Sequence, residues 1–275
     1  MRRLYVMGIL GAMLLVLASC GQQILGAAVK EQVDKTLPLE AGGSFALENV
    51  NGDIKVTLGK PGEVRIHADK TVRALDEAQA KESLSRLEVA ITAAPGHISV
   101  ETRYPKPQGI FSGIGPSGSV DYTVQIPPGT SLTLTNVNGA ISVEAPGCDV
   151  SCETTNGHLG IAACDALKAA TVNGHIEFKA QNVDEVSSTN GHIEGALLSL
   201  KPLGGKIETV NGHVTLTLPA GIAVRIEAEN VHGDVASGFP GVSEDKHTLS
   251  GDLNGGGKTL SIETVNGSIE VKRGR

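Results

Sequence analysis

One short pattern recurs through this 275-residue chain and constrains its fold more than any other feature. It begins with Thr, Ser or Asn, usually followed by Val or Thr; Asn-Gly comes next, then a small or polar residue and an aliphatic one. Full copies stand at 49–54, 136–141, 154–159, 171–176, 188–193, 209–214 and 264–269, with degenerate copies at 231–235 and 249–253. From Asn138 onward, the residue before glycine falls at positions 138, 156, 173, 190, 211, 232, 250 and 266, so the steps run from 16 to 21 residues. Asn-Gly supplies the positive φ angles of a tight turn without steric cost, and the flanking β-branched residues favour strands. Each repeat therefore reads as strand, turn, strand.

Aligning the copies exposes two aliphatic columns. Two residues after each glycine stand Ile54, Ile141, Leu159, Ile176, Ile193, Val214, Val235, Leu253 and Ile269. Four before the asparagine, or its substitute, stand Leu47, Leu134, Cys152, Ala169, Val186, Ile207, Ala228 and Ile262. The intervening positions are mostly Thr, Ser, Glu or Lys, the alternation of a half-buried strand. Columns of like residues at a fixed period are the mark of coils stacked about 4.8 Å apart. The expected fold is all-β, a β-solenoid of 16–21-residue Asn-Gly repeats, with seven steps spanning roughly 34 Å at that rise. The composition agrees: 35 Gly, no Trp and 3% aromatics suit short strands and tight turns.

The first residues are a separate unit. Arg2 and Arg3 precede an apolar run over 4–18, too short for a comfortable membrane span, and the run ends in Leu17, Ala18, Ser19 and Cys20. This tetrad resembles the bacterial lipobox, which implies that residues 1–19 are a signal peptide and that Cys20 is diacylated and holds the protein to a membrane. Gly21, where Asp would retain a lipoprotein in the inner membrane, implies outer-membrane delivery in an envelope with two membranes. Residues 20–38 read as a polar tether. Residues 39–130 read as an N-terminal β region with one short helix over 75–87, a degenerate turn at 95–100, and a Gly- and Ser-rich loop over 109–118. In that loop Ile110, Phe111 and Ile114 either dock on the chain's own surface or meet a partner. Residues 131–275 read as the regular repeats, with Lys272, Arg273 and Arg275 defending their open end. The net charge of −7 becomes −9 once residues 1–19 are removed, which makes nucleic acid and anionic lipid surfaces poor partners.

Two clusters invite chemistry. His158, His175, His192 and His213 each follow a glycine, forming a column with Glu177 and Glu194 in the next row. Such a column could bind a transition metal or respond to pH. Alternatively the position accepts anything small or polar, since Asp53, Ala140, Asp234, Asp252 and Ser268 occupy it elsewhere. Cys148 and Cys164 fall at nearly equivalent places in consecutive coils, so a coil-to-coil disulfide competes with three free buried thiols, Cys152 lying in the core column. The cysteines lack the close paired spacing of a zinc site. Gly255, Gly256, Gly257, Lys258 and Thr259 do not make a phosphate loop, because Asp252 stands where glycine is needed and a strand begins at Leu260. No nucleophile elbow or separate Ser, His and Asp set is present, so neither catalysis nor a cofactor is expected.

With units such as Thr-Val-Asn-Gly-His-Ile-Glu at 171–177, and a strand ending in Ile126, Pro127, Pro128 and Gly129, the chain resembles the bacterial β-strand-repeat adhesin domain family of unassigned function. The resemblance covers 39–271 and implies an envelope-exposed β-solenoid without catalytic residues. The expected function is a noncatalytic lipid-anchored adhesin or scaffold that meets an unidentified envelope or extracellular macromolecule. The alternative is a sensory or regulatory lipoprotein reporting envelope stress. A polysaccharide-active enzyme ranks below both, because Trp is absent and coils of 16–21 residues leave little room for long cleft-forming loops.

Overall fold

The computed structural model describes residues 27–105 and 117–274. The signal segment, Cys20, Ile110, Phe111 and Ile114 lie outside the described residues. Among the described residues the fold is all-β, with 67% strand and one helix, and its sheet wraps nearly closed, barrel-like, around one core. No helix among the described residues is long and apolar enough to cross a membrane.

The repeats pair in parallel and in register. Asn138 lies beside Asn156, Asn156 beside Asn173, Asn173 beside Asn190, Asn190 beside Asn211 and Asn211 beside Asn266. Asn51 joins the row through an isolated bridge to Asn138. Each Asn-Gly is a corner: the strand before it belongs to one face of the stack and the strand after it to the other. The first face buries Leu47, Leu134, Val186, Ile207 and Ile262, and the second Ile54, Ile141, Leu159, Ile176, Ile193, Val214 and Ile269. Each such side chain contributes about 1.5–3 kcal/mol by leaving water, which makes these columns the main source of stability.

The corner differs from a hairpin turn. Among the described residues only Asn254 is a non-glycine with positive φ, at 46°, so the ladder asparagines are not in the left-handed region. At Gly52, Gly139, Gly233 and Gly267 a positive φ itself calls for glycine, whereas at Gly157, Gly174, Gly191 and Gly212 proximity alone does. A Cβ on Gly174 would overlap the carbonyl oxygen of Gly157, and one on Gly157 would overlap that of Gly139. Rungs this close tolerate no side chain there.

The spatial order of rungs also departs from chain order at both ends. The Asn266 rung lies between the Asn211 rung and the His232 rung, since Thr259–Asn266 pairs with Gly205–Asn211 on one side and Val224–His232 on the other. At the opposite end, β2 (Ser44–Glu48) and β3 (Ile54–Leu58), which follow β1 (Ala27–Pro38), are likewise interposed. β2 sits between His97–Arg103 and Ser131–Asn138, and β3 between Ser117–Ile126 and Ile141–Glu144. The degenerate copy at 249–253 makes no rung. Thr248–Leu253 runs antiparallel to Val224–His232, placing Leu253 opposite Val224. Ile269–Arg273, with Lys272 and Arg273, is flanked by Val214–Leu218 and Val235–Ser237 and so guards no end, while Arg275 lies outside the described residues. Antiparallel strands close the stack there instead, which limits edge-to-edge association.

The tether expected over 20–38 is, from Ala27 onward, strand β1, paired antiparallel with β4 (Glu63–Ala74) along all twelve residues. Its inward row, Val29, Glu31, Val33, Lys35 and Leu37, alternates apolar with charged residues, and this hides the strand period. Glu31 is accommodated by an ion pair with the buried Lys70 at 3.0 Å. Helix α1 (Glu77–Arg86) packs on β1 and β4 through Ala80 and Leu84. The Asp76 side chain caps it by accepting from the Gln79 amide at 2.8 Å. The expected degenerate turn at 95–100 is an antiparallel hairpin turning at Gly96, φ 73°.

Candidate functional site

The outer corner of the stack carries three parallel rows of side chains. The first is an asparagine ladder. The Nδ2 of Asn138 donates to Asn51 Oδ1 at 2.9 Å, and the same bond repeats from Asn156 (3.0 Å), Asn173 (2.8 Å), Asn190 (2.9 Å), Asn211 (2.8 Å) and Asn266 (2.8 Å), each to the preceding rung. Amides stacked at strand spacing satisfy one another in this way. Tyr104 sits at the Asn51 end, donating to Asn49 Oδ1 at 3.0 Å.

Beneath the ladder, the first residue of the motif is buried. It uses its side chain on the glycine carbonyl of the neighbouring rung: Thr209 to Gly191 and Thr264 to Gly212, both at 3.1 Å. Thr171 and Ser188 make longer versions at 3.4 Å, and Asn136 and Asn230 do the same at the outer rungs. The choice of Thr, Ser or Asn at this position follows from the need to satisfy that carbonyl.

The second row is the one after glycine. The backbone ladder engages the glycine amide and the aliphatic amide on either side, for example Gly157 to Asn173 at 3.0 Å and Leu159 to His175 at 2.9 Å. The amide between them is left for side chains. Asp53 Oδ1 accepts from the Ala140 amide at 2.8 Å, His175 Nδ1 from His192 at 3.3 Å, His192 Nδ1 from His213 at 3.0 Å, and His213 Nδ1 from Ser268 at 3.0 Å. The structure therefore brings His158, His175, His192 and His213 together as exposed rings, with centroid spacings of 6.4, 5.1 and 5.1 Å. What His175, His192 and His213 use is an acceptor atom, which Asp and Ser also carry, rather than small size; His158, its ring turned 71° from that of His175, is not among them. An Nδ1 that accepts an amide proton leaves the ring proton on Nε2, so binding a metal there would drive that proton toward a donor. Among the described residues no group of three or more His, Cys, Asp or Glu is arranged to hold a metal ion.

The third row precedes the ladder. Directly before Asn51, Asn173, Asn211, Asn266 and His232, the side chains of Val50, Val172, Val210, Val265 and Val231 are exposed, an aliphatic ridge interrupted by Thr155 and Thr189 that the core columns do not explain. Two residues further back runs an outward row that ends in Glu208, Glu263 and Glu229 on adjacent strands. Lys206 Nζ bridges Glu208 at 2.7 Å and Glu263 at 3.3 Å. Between Glu208, Glu263 and Glu229 on one side and Val210, Val265 and Val231 on the other lies a groove of about 430 Å³ along the stack axis. A second hollow, about 390 Å³, lies on the β1–β4 surface around Asp34, Arg65 and His67. There His67 bonds Asp34 at 2.7 Å and Asp69 at 3.2 Å, and the Asp34 bond leads in raising its pKa above the ordinary value.

Cys148, Cys152 and Cys164 are buried and stand as free thiols, the arrangement that the sequence sets against a Cys148–Cys164 bridge. The coil register explains this: the Asp165 amide donates to the Cys148 carbonyl, and Val150 pairs with Leu167, so Cys148 stands beside Asp165 rather than Cys164. Burial raises all three thiols, Cys164 to about 12 and Cys152 further. Such thiols are poor nucleophiles.

No protein-family model matches the chain, and no curated protein matches it. Solved structures that resemble it include a "putative cell adhesion protein" from Clostridium sporogenes, 12% identical over 88% of this chain and 100% of that one, with a TM-score of 0.35. A "putative adhesin" from Bacteroides fragilis is 11% identical over 87% and 96%, with a TM-score of 0.44. A "putative lipid binding protein" from Parabacteroides distasonis is 10% identical over 89% and 97%, with a TM-score of 0.35.

Proposed function

We propose that this protein is a noncatalytic, lipid-anchored envelope protein, an adhesin or scaffold whose β-solenoid presents its ladder corner to an envelope or extracellular macromolecule. The observation that carries the reading is the exposed ridge of Val50, Val172, Val210, Val265 and Val231, held in register by the asparagine ladder beside an acidic row. A ridge that recurs along the stack, interrupted by Thr155 and Thr189, suits an elongated partner better than a small molecule. Acylation at Cys20 attaches the protein to the outer membrane, and nucleic acid is no partner for a chain of net charge −7.

The test replaces Val172, Val210 and Val265 by Asp, outward positions whose change leaves the core columns intact, and measures binding to envelope fractions, glycans and matrix proteins. Loss of a wild-type interaction with the fold retained supports the reading. Undiminished binding overturns the ridge as the contact surface. Polysaccharide cleavage abolished by Glu263→Gln overturns the noncatalytic assignment. Palmitate labelling abolished by Cys20→Ala supports the anchor, and a Cys20→Ala variant that still labels removes it.

A further inference from the structure

Strand β1 pairs only along β4, so among the described residues its other edge is unpaired over twelve residues. An open edge of that length is a template for another strand. Its inward row is half-covered: Val33 and Leu37 pack against the core yet remain partly exposed, while Lys35 has no carboxylate within ion-pair distance among the described residues. A neighbouring strand would finish covering the first two and supply a partner for the third.

We infer that β1 is a homodimer interface, in which two copies of the chain pair antiparallel through this edge about a two-fold axis at Val33. Symmetry restricts the choice of register. A two-fold axis between antiparallel strands passes through a pair of directly opposite equivalent residues, so each register is defined by the residue that faces itself. Centring on Lys30, Glu31, Asp34 or Lys35 sets like charges face to face, which is destabilising. Centring on Gln32 sets Val29 against Lys35 and Glu31 against Val33. Centring on Val33 matches every inward pair: Val29 with Leu37, Glu31 with Lys35, and Val33 with itself. On the outward row it sets Gln32 against Asp34 and Lys30 against Thr36, both polar matches. The inward sequence Val, Glu, Val, Lys, Leu is thus complementary to its own reverse. The same alternation that hides β1 as an ordinary strand makes it self-recognising.

The test uses the full chain extracted in mild detergent. Val33→Cys is expected to form an intermolecular disulfide rapidly, because directly opposite residues lie within the roughly 4.4–6.8 Å Cα range of a disulfide. Gln32→Cys is offset from its own copy by two residues and is expected to cross-link at least about tenfold more slowly. Lys35→Glu opposes Glu31 with a carboxylate twice per dimer and is expected to weaken association roughly tenfold by sedimentation. A wild-type monomer at all accessible concentrations overturns the inference. So does equal cross-linking of the two cysteine variants.

Discussion

At the central rungs glycine serves proximity rather than turn geometry, and Gly174 is where this can be tested. In Gly174→Ala the new methyl meets the Gly157 carbonyl, which is backbone and cannot rotate away. The two rungs must separate locally, weakening three bonds that cross this gap: the Gly157 amide to the Asn173 carbonyl at 3.0 Å, Asn173 Nδ2 to Asn156 at 2.8 Å, and Thr171 Oγ1 to Gly157 at 3.4 Å. At about 1 kcal/mol net for each, the loss is about 3 kcal/mol. Gly96→Ala is the control: Gly96 has φ 73° but open space around its Cβ position, so only the left-handed penalty of about 1–2 kcal/mol applies. Asparagine separates the two requirements further, because it tolerates the left-handed region: Gly96→Asn is expected to cost less than Gly96→Ala, whereas Gly174→Asn costs at least as much as Gly174→Ala. Urea unfolding measures all four. A Gly174→Asn variant as stable as wild type would refute the reasoning.

The acceptor role of the histidine column predicts that His192→Asp, which keeps an acceptor as Asp53 does, is nearly neutral, while His192→Leu loses about 1 kcal/mol by denaturant unfolding. His67 has its pKa raised by its bond to Asp34 and by the Asp69 charge, so its stabilising contribution is complete below the ordinary histidine value and fades as pH rises through the raised one. Amide exchange in β1, corrected for intrinsic rates, should therefore be more protected at pH 6 than at pH 8, and Asp34→Asn should diminish that difference. The three buried thiols should resist modification at pH 8 in the native protein, and all three should react on unfolding without reductant; fewer reactive thiols would mean that a disulfide forms.

Much of the repeat architecture was legible because a fixed period brings like residues together. The columns at Ile141, Leu159, Ile176 and Ile193 could be read without knowing any contact, and the structure pairs them in that register. The order of rungs at the ends was not legible for the same reason. When Asn211 can pair equally well with His232 or Asn266, periodicity says nothing about which one it meets. The segment 249–253 imitated the motif, yet Gly251 there packs beside Val242 in an antiparallel pair instead of beneath a rung. β1 was obscured by Glu31 and Lys35 on its inward row, a cost offset at Glu31 by Lys70. At the site, the histidine column is legible in the sequence but its role is not. The signal was present in Asp53, Asp234 and Ser268, which share with histidine an acceptor one step beyond the Cβ region, and Ala140 masked it. The valine ridge is not legible, because Val beside Thr in a strand reads as ordinary β propensity.

The central claim, a parallel stack in which the last rung in sequence is inserted before the His232 rung, is tested most directly by paired cysteines on the outward surface. Thr215 lies beside Glu270, and Glu270 beside Ala236, so Thr215 and Ala236 are two strands apart. Thr215→Cys with Glu270→Cys is predicted to form an intramolecular disulfide, and Thr215→Cys with Ala236→Cys is predicted not to. Bridging of 215 to 236 without bridging of 215 to 270 would mean that the rungs stack in chain order and would contradict the account.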